Sequence, residues 1–286
     1  MLLNINLDVG EIAIKYEYAP VDYHVKIELN IEMVSRNNLG KSYLDYFTEP
    51  NWLNSSQSLT FNMFLKANAF EKWFESSFWI KQRVNLIVIL YPNILFNINT
   101  TIRERGDFNL EVEGGIEINN VNVNINNGNI FYNFIYCMIQ GNLTGLITSG
   151  DIKLKINNVK YSQKNFWTFI NNEGLITFDI IQNRAMDANV TGIGKTDTGI
   201  IKIIYHDYSP DIGARFIFHN YSGTWGGIYN YWVGFPEKPQ SFYDPPDVGY
   251  IFSSYDFPTN NNYNLSLYKS FLSGDYYVNL SSIPNN

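Results

Sequence analysis

The segment Thr191-Gly-Ile-Gly-Lys-Thr-Asp-Thr-Gly comes nearest to a nucleotide site, because Gly194-Lys195-Thr196 ends like a phosphate-binding loop. Such a loop cradles phosphates with backbone N–H groups and needs a glycine five positions before Gly194, where Asn189 stands. It should also open a helix, whereas strand-like residues follow. Nucleotide binding is not expected. His24, His206 and His219 show no ligand spacing with one another. His206-Asp207 before Tyr208-Ser-Pro-Asp211 could hold a cation, but the loop of an EF-hand is missing, and solvated turn residues are the plainer reading. No GxSxG elbow or HExxH pair gathers Ser, Asp and His. The sequence therefore names no catalytic residue, no cofactor-binding residue and no metal ligand. Stacked coils could still assemble carboxylates from neighbouring turns, as some polysaccharide-cleaving β-helices do.

The elements that would position any such groups are clearer. Between Arg105 and Tyr205 a glycine opens five short runs of alternating apolar residues: Gly106-Asp-Phe-Asn-Leu-Glu-Val, Gly128-Asn-Ile-Phe-Tyr-Asn-Phe, Gly150-Asp-Ile-Lys-Leu-Lys-Ile, Gly174-Leu-Ile-Thr-Phe-Asp-Ile and Gly199-Ile-Ile-Lys-Ile-Ile-Tyr. The glycines recur at a near-constant interval, in the range where a period signals stacked repeats. Each run sends three apolar side chains to one face and polar ones to the other. One strand cannot bury such a face, but a stack can, at roughly 1.5–3 kcal/mol for each buried Ile, Leu or Phe. A turn of this length spans about 75–80 Å of extended chain, enough for two or three strands and their corners. The expected fold is all-β, a single-stranded β-solenoid with at most one short helix. An antiparallel meander with two strands per unit is the alternative.

Composition limits the rest. The 286 residues are 45% hydrophobic, 16% aromatic and only 16% charged, and they include 39 Asn. Asn tolerates left-handed corners and can ladder along stacked coils; coding bias is the other explanation. A net charge of −7 argues against a nucleic-acid partner. The lone Cys137 lies in an apolar segment, excludes a disulfide framework within one chain, and reads as a small buried hydrophobe. The longest apolar run, Leu86 to Tyr91, is too short to span a membrane. Met1-Leu-Leu-Asn-Ile-Asn-Leu-Asp alternates like a strand rather than a signal peptide, so the chain is either cytoplasmic or parted from its export signal.

In chain order, one domain over 1–286 is expected. N-terminal coils occupy 1–100, with an aromatic excursion at 35–83 and a short helix around Phe70–Ser77. Regular central coils follow at 101–225, then a Pro/Tyr/Asn-rich excursion and last coils at 226–286. The distance from Gly10 to Gly106 reads as four further periods and that from Gly223 to Gly274 as two, for roughly 12 coils in all. The excursion reads as a lid over an exposed strand edge. An aromatic platform for a sugar or a partner is the functional alternative. Seven Asn-x-Ser/Thr acceptors, at Asn54, Asn99, Asn142, Asn189, Asn220, Asn264 and Asn279, hint at an exported glycoprotein.

Ala188-Asn-Val-Thr-Gly through Thr198-Gly-Ile-Ile-Lys-Ile-Ile-Tyr, Asp211-Ile-Gly-Ala-Arg-Phe, and Thr148-Ser-Gly-Asp-Ile-Lys-Leu resemble the repeats of the DUF4097 adhesin family, above all its archaeal members. The likeness covers Gly106–Phe218 and departs from the pattern at Gly174-Leu and Gly199-Ile, where Asp or Asn is missing. It implies a β-solenoid without known catalytic residues and a role in adhesion or the envelope. The expected function is thus a non-enzymatic, extracellular or cell-surface module, with envelope polysaccharide or a surface protein as partner. A bactofilin-like intracellular scaffold that polymerises end to end and a carbohydrate-active β-helix are the rivals.

Overall fold

The computed structural model describes residues 1–18, 24–36, 42–207, 212–220, 227–233, 235, 240–244, 247–254, 257, 261–269 and 276–281. The fold is all-β. The N-terminal third forms β1 (Leu2–Val9), β2 (Glu11–Tyr16), β3 (Val25–Ser35), β4 (Asn51–Asn54), β5 (Ser58–Met63), a single-turn helix α1 (Phe70–Phe74) and β6 (Trp79–Leu90). The middle forms β7 (Asn97–Arg105), β8 (Phe108–Glu113), β9 (Glu117–Ile118), β10 (Val121–Ile135), β11 (Met138–Ile139), β12 (Leu143–Asn157), β13 (Lys160–Tyr161), β14 (Asn165–Glu173), β15 (Leu175–Gln182), β16 (Val190–Thr196) and β17 (Ile200–Asp207). The rest forms β18 (Ile212–Asn220), β19 (Gly227–Val233), β20 (Gln240–Asp244), β21 (Asp247–Ser253), β22 (Asn261–Lys269) and β23 (Tyr276–Ser281).

Parallel pairing follows the glycine period through the middle of the chain. Ile98 sits beside Val121, Val121 beside Leu143, Leu143 beside Trp167 and Trp167 beside Gly192; the last three steps equal the intervals between successive glycine corners, and the first is longer by the register shift between Ile125 and Asn127. A second ladder runs Phe108, Ile130, Ile152, Ile176, Ile201. The long strands β10 and β12 pass from one ladder to the other across Gly128 and Gly150. A short third ladder joins β9, β11 and β13. Inward positions are filled continuously: Ile130, Tyr132, Phe134, Ile152, Leu154 and Ile156 are all nearly inaccessible. Where large rings crowd inward, the next strand offers glycine. A Cβ on Gly192 would meet Trp167 Cβ at 2.9 Å, and one on Gly145 would meet Phe169 Cδ1 at 2.9 Å.

The order of layers corrects the chain-order expectation. Gly10 is not four periods from Gly106 but beside it: Gly10 N donates to Arg105 O at 3.1 Å, and Ile12 pairs with Phe108. In the first ladder the parallel order is β5-β1-β7-β10-β12-β14-β16-β22-β18. In the second it is β6-β2-β8-β10-β12-β15-β17-β23-β19. These are nine layers among the described residues, about 40 Å of stack at about 4.8 Å each, rather than 12. Both chain ends insert one layer in. The pair β1–β2 lies between β5–β6 and β7–β8, and the pair β22–β23 lies between β16–β17 and β18–β19. The intervening chain loops back to build the outer layer, which chain distance alone does not disclose.

Antiparallel strands extend both ends. At one end β4 pairs with β5 and β3 with β6. At the other, β21 pairs with β18 and β20 with β21. The 35–83 excursion is therefore part stack and part cover, since β5 is a layer in its own right while the start of β6 pairs only with β3, the parallel part of β6 beginning at Asn85. Its buried aromatics form one cluster, with Phe47 edge-on to Trp73 at 4.8 Å and Trp73 next to Trp79 at 5.6 Å. The glycine corners expected at Gly223 and Gly274 lie outside the described residues.

Candidate functional site

The residues singled out for chemistry are dispersed and structurally employed. Gly194-Lys195-Thr196 ends strand β16 rather than opening a helix. Gly194 leaves room for Leu267 and Phe178, Lys195 Nζ lies 3.7 Å from Asp197, and Thr196 is buried. His24 Nδ1 lies 3.0 Å from Asn93 Oδ1, and the His219 ring stacks on Tyr268 at 4.1 Å. His206 is in β17, and the buried Asp207 accepts from Tyr205 Oη at 2.7 Å. Residues 208–211, the remainder of that cation candidate, lie outside the described residues. Among the described residues no three His, Cys, Asp or Glu side chains are grouped to hold a metal ion. Cys137 is buried, and burial pushes its thiol up to about 12.

The glycine corners form one column. A Cβ on Gly128 would collide with the carbonyl oxygen of Gly106, and one on Gly150 with that of Gly128; both glycines also hold positive φ, +140° and +132°. Backbone thus stacks on backbone with no space for a side chain between. The following residue explains the Gly-Asp/Asn pairing. Asn129 N donates to Asp107 Oδ1 at 2.8 Å, Asp151 N to Asn129 Oδ1 at 3.1 Å, and Leu175 N to Asp151 Oδ1 at 2.9 Å. Side-chain oxygens take over the ladder where the glycine carbonyl is turned aside. In a second file Asn120 Nδ2 donates to Asn97 Oδ1, Asn142 N to Asn120 Oδ1 and Phe166 N to Asn142 Oδ1. The Asn richness of the chain is partly this work.

Beside the glycine column runs an open groove of about 920 Å³, which neither periodicity nor motif disclosed. Its floor comes from three successive layers, at Glu104 and Arg105, at Asn127 to Asn129, and at Ser149 and Gly150. Its wall is α1. The position of Trp73 fixes that helix: it is buried against Phe47, and Trp79 Nε1 donates to Lys72 O at 2.8 Å. Phe70 and Phe74, one turn apart, are thereby left on the outer side, 37% and 41% exposed with ring centres 5.1 Å apart. Glu71 and Glu75 complete the wall. The segment before α1 is tied to the stack by Leu65 N donating to the buried Asp8 Oδ2 at 2.7 Å and by Arg103 lying 4.2 Å over the Phe64 ring. The wall is thus held at two points. A larger opening of about 1090 Å³ lies between β3 and β4, lined by Val25, Ile27, Trp52, Leu59 and Ile94.

No family model matches the sequence, so the DUF4097 resemblance rests on its repeat motifs. No curated protein matches it either. Among solved structures, the chain is similar to a "putative cell adhesion protein" from Clostridium sporogenes ATCC 15579, with 12% identity over 98% of this chain and 92% of that one, and a TM-score of 0.35. That likeness is too distant to define either fold or role. Among the described residues, no helix is long and apolar enough to cross a membrane.

Proposed function

We propose that the chain is a β-solenoid serving as a non-enzymatic adhesive module at the cell surface. The observation that carries this reading is the α1 groove: exposed rings and hydrogen-bonding side chains lie side by side along three layers of a stiff stack. An open trough suits an extended chain held from one side. The solenoid reading draws on the in-register parallel steps of one glycine period each and on the DUF4097-like repeats. Export is supported by the acceptor sites, of which Asn54 and Asn142 are exposed. The antiparallel strands at both ends speak against end-to-end polymerisation, because they replace the parallel edge that another copy would extend. The partner is an envelope polysaccharide or a surface protein.

Fractionation of source cells, with surface proteolysis and glycopeptide mapping, tests the location. Recovery at the surface with occupied acceptor sites is expected. Recovery confined to the cytoplasm without glycans would remove the reading.

A further inference from the structure

We propose that the groove between α1 and the glycine column binds a neutral, hydroxyl-rich glycan chain, an inference that rests on the adhesive reading above and gives it a ligand class. The lining has the amphipathic character of a sugar ring. Phe70 and Phe74 line the groove as part-exposed rings, an apolar surface suited to the C–H face of a pyranose. Three carboxylates (Glu71, Glu75, Glu104) and the Arg105 guanidinium offer planar, often bidentate partners to vicinal hydroxyls, while the Asn127 and Asn129 amides, already tied to Glu104 O, Asp107 and Asp151, keep one N–H each for a further contact.

The floor favours a chain over a single sugar. Gly128 and Gly150 line it with backbone alone, and three layers about 4.8 Å apart each add a polar side chain at one register position, Arg105, Asn127 and Ser149. A linear glycan laid along the stack meets a hydrogen-bonding group on each successive layer. The support is rigid, since the glycine column beneath cannot accept a Cβ. Little ordering entropy is then lost on the protein side.

Charge selects within this class. Three carboxylates against one guanidinium disfavour uronate or phosphate chains. Arg105 adds a positive charge to the same lining, which disfavours a basic peptide. A neutral chain satisfies both signs by hydrogen bonding.

The test is calorimetric titration of the whole protein with cellohexaose, chitohexaose and mannohexaose, beside polygalacturonate and a lysine-rich peptide. At least one neutral hexasaccharide is expected to bind, polygalacturonate is not, and low salt should change the affinity little. Phe70→Ala with Phe74→Ala should weaken binding about tenfold or more, and Glu104→Gln by about three- to tenfold. Glu28→Gln, an equal charge change on β3 outside the groove, should leave it unchanged, and thermal melts should show all variants folded. Failure of every neutral hexasaccharide, binding that survives loss of both rings, or binding of the basic peptide alone would each overturn the proposal. Because location is measured separately by fractionation, surface recovery without glycan binding would discard this inference and leave the adhesive reading standing.

Discussion

Asp107 Oδ1 accepts both the backbone N–H and the side-chain Nδ2 of Asn129, at 2.8 and 2.9 Å. One carboxylate oxygen thereby replaces the backbone acceptor that the glycine corner withdraws from the ladder. Asp107→Ala should cost about 1–2 kcal/mol, the value of losing hydrogen bonds to a charged acceptor, and Asp107→Asn clearly less, because its Oδ1 can still accept. Urea unfolding midpoints of the two variants decide this. Equal losses would mean that the acceptor is not what matters at the corner.

The glycine column makes a sharper distinction between corners. Gly150→Ala places a methyl group on the Gly128 carbonyl at φ +132°, so a loss of about 3 kcal/mol or more is expected. Gly115 also has positive φ, +81°, but nothing lies within 4 Å of its Cβ position. Gly115→Ala should cost only about 1 kcal/mol, the strain of the left-handed conformation alone. Similar melting temperatures for the two variants would contradict the close stacking.

Register gives a third test. Leu154 is 1% exposed and faces inward between Tyr132 and Phe178, while its neighbour Lys153 faces outward, its Nζ 5.6 Å from the Phe131 ring centre. Leu154→Asp buries a charge and should cost about 4 kcal/mol or prevent folding; Lys153→Asp should cost under about 1 kcal/mol. Comparable losses would show the strand turned over, with its faces exchanged.

Alkaline stability follows from the buried phenols and thiol. Burial raises Tyr132, Tyr161 and Tyr263 above their ordinary 10.0 and Cys137 from 9.0 to about 12. Raised values mean that the folded state holds protons which the unfolded chain releases first. The associated stability is complete below about pH 9 and declines as pH rises through 10 and beyond. Urea midpoints should be flat from about pH 7 to 8.5 and fall steeply above about pH 10. Cys137 should also resist thiol reagents at about pH 8 until the protein is unfolded. Rapid labelling of the native protein would contradict its burial.

What the sequence disclosed and what it hid divide along a physical line. The alternation after Gly106, Gly128 and Gly150 is local, so both the buried faces and the parallel step could be read from it. The place of Gly10 could not, because adjacency between Gly10 and Gly106 is a long-range pairing with no trace in the chain between them. The loss of Asp or Asn after Gly174 was visible as a departure from pattern. Only the hydrogen bond from Leu175 N to Asp151 shows its meaning: the file of acceptors stops there. Gly192 and Gly194 mimicked a phosphate loop because small residues are also what large inward rings require of their neighbours. The aromatic platform weighed for 35–83 pointed to the wall of the groove but not to its floor, which lies on three later layers remote from α1 along the chain.

The central claim is adhesion through the α1 groove, and the most direct measurement is retention of protein-coated beads on intact source cells under flow. The wild-type chain should hold beads, and the Phe70→Ala/Phe74→Ala variant, with an unchanged melting temperature, should release them. Equal retention by the two proteins, or none by either, would contradict the account.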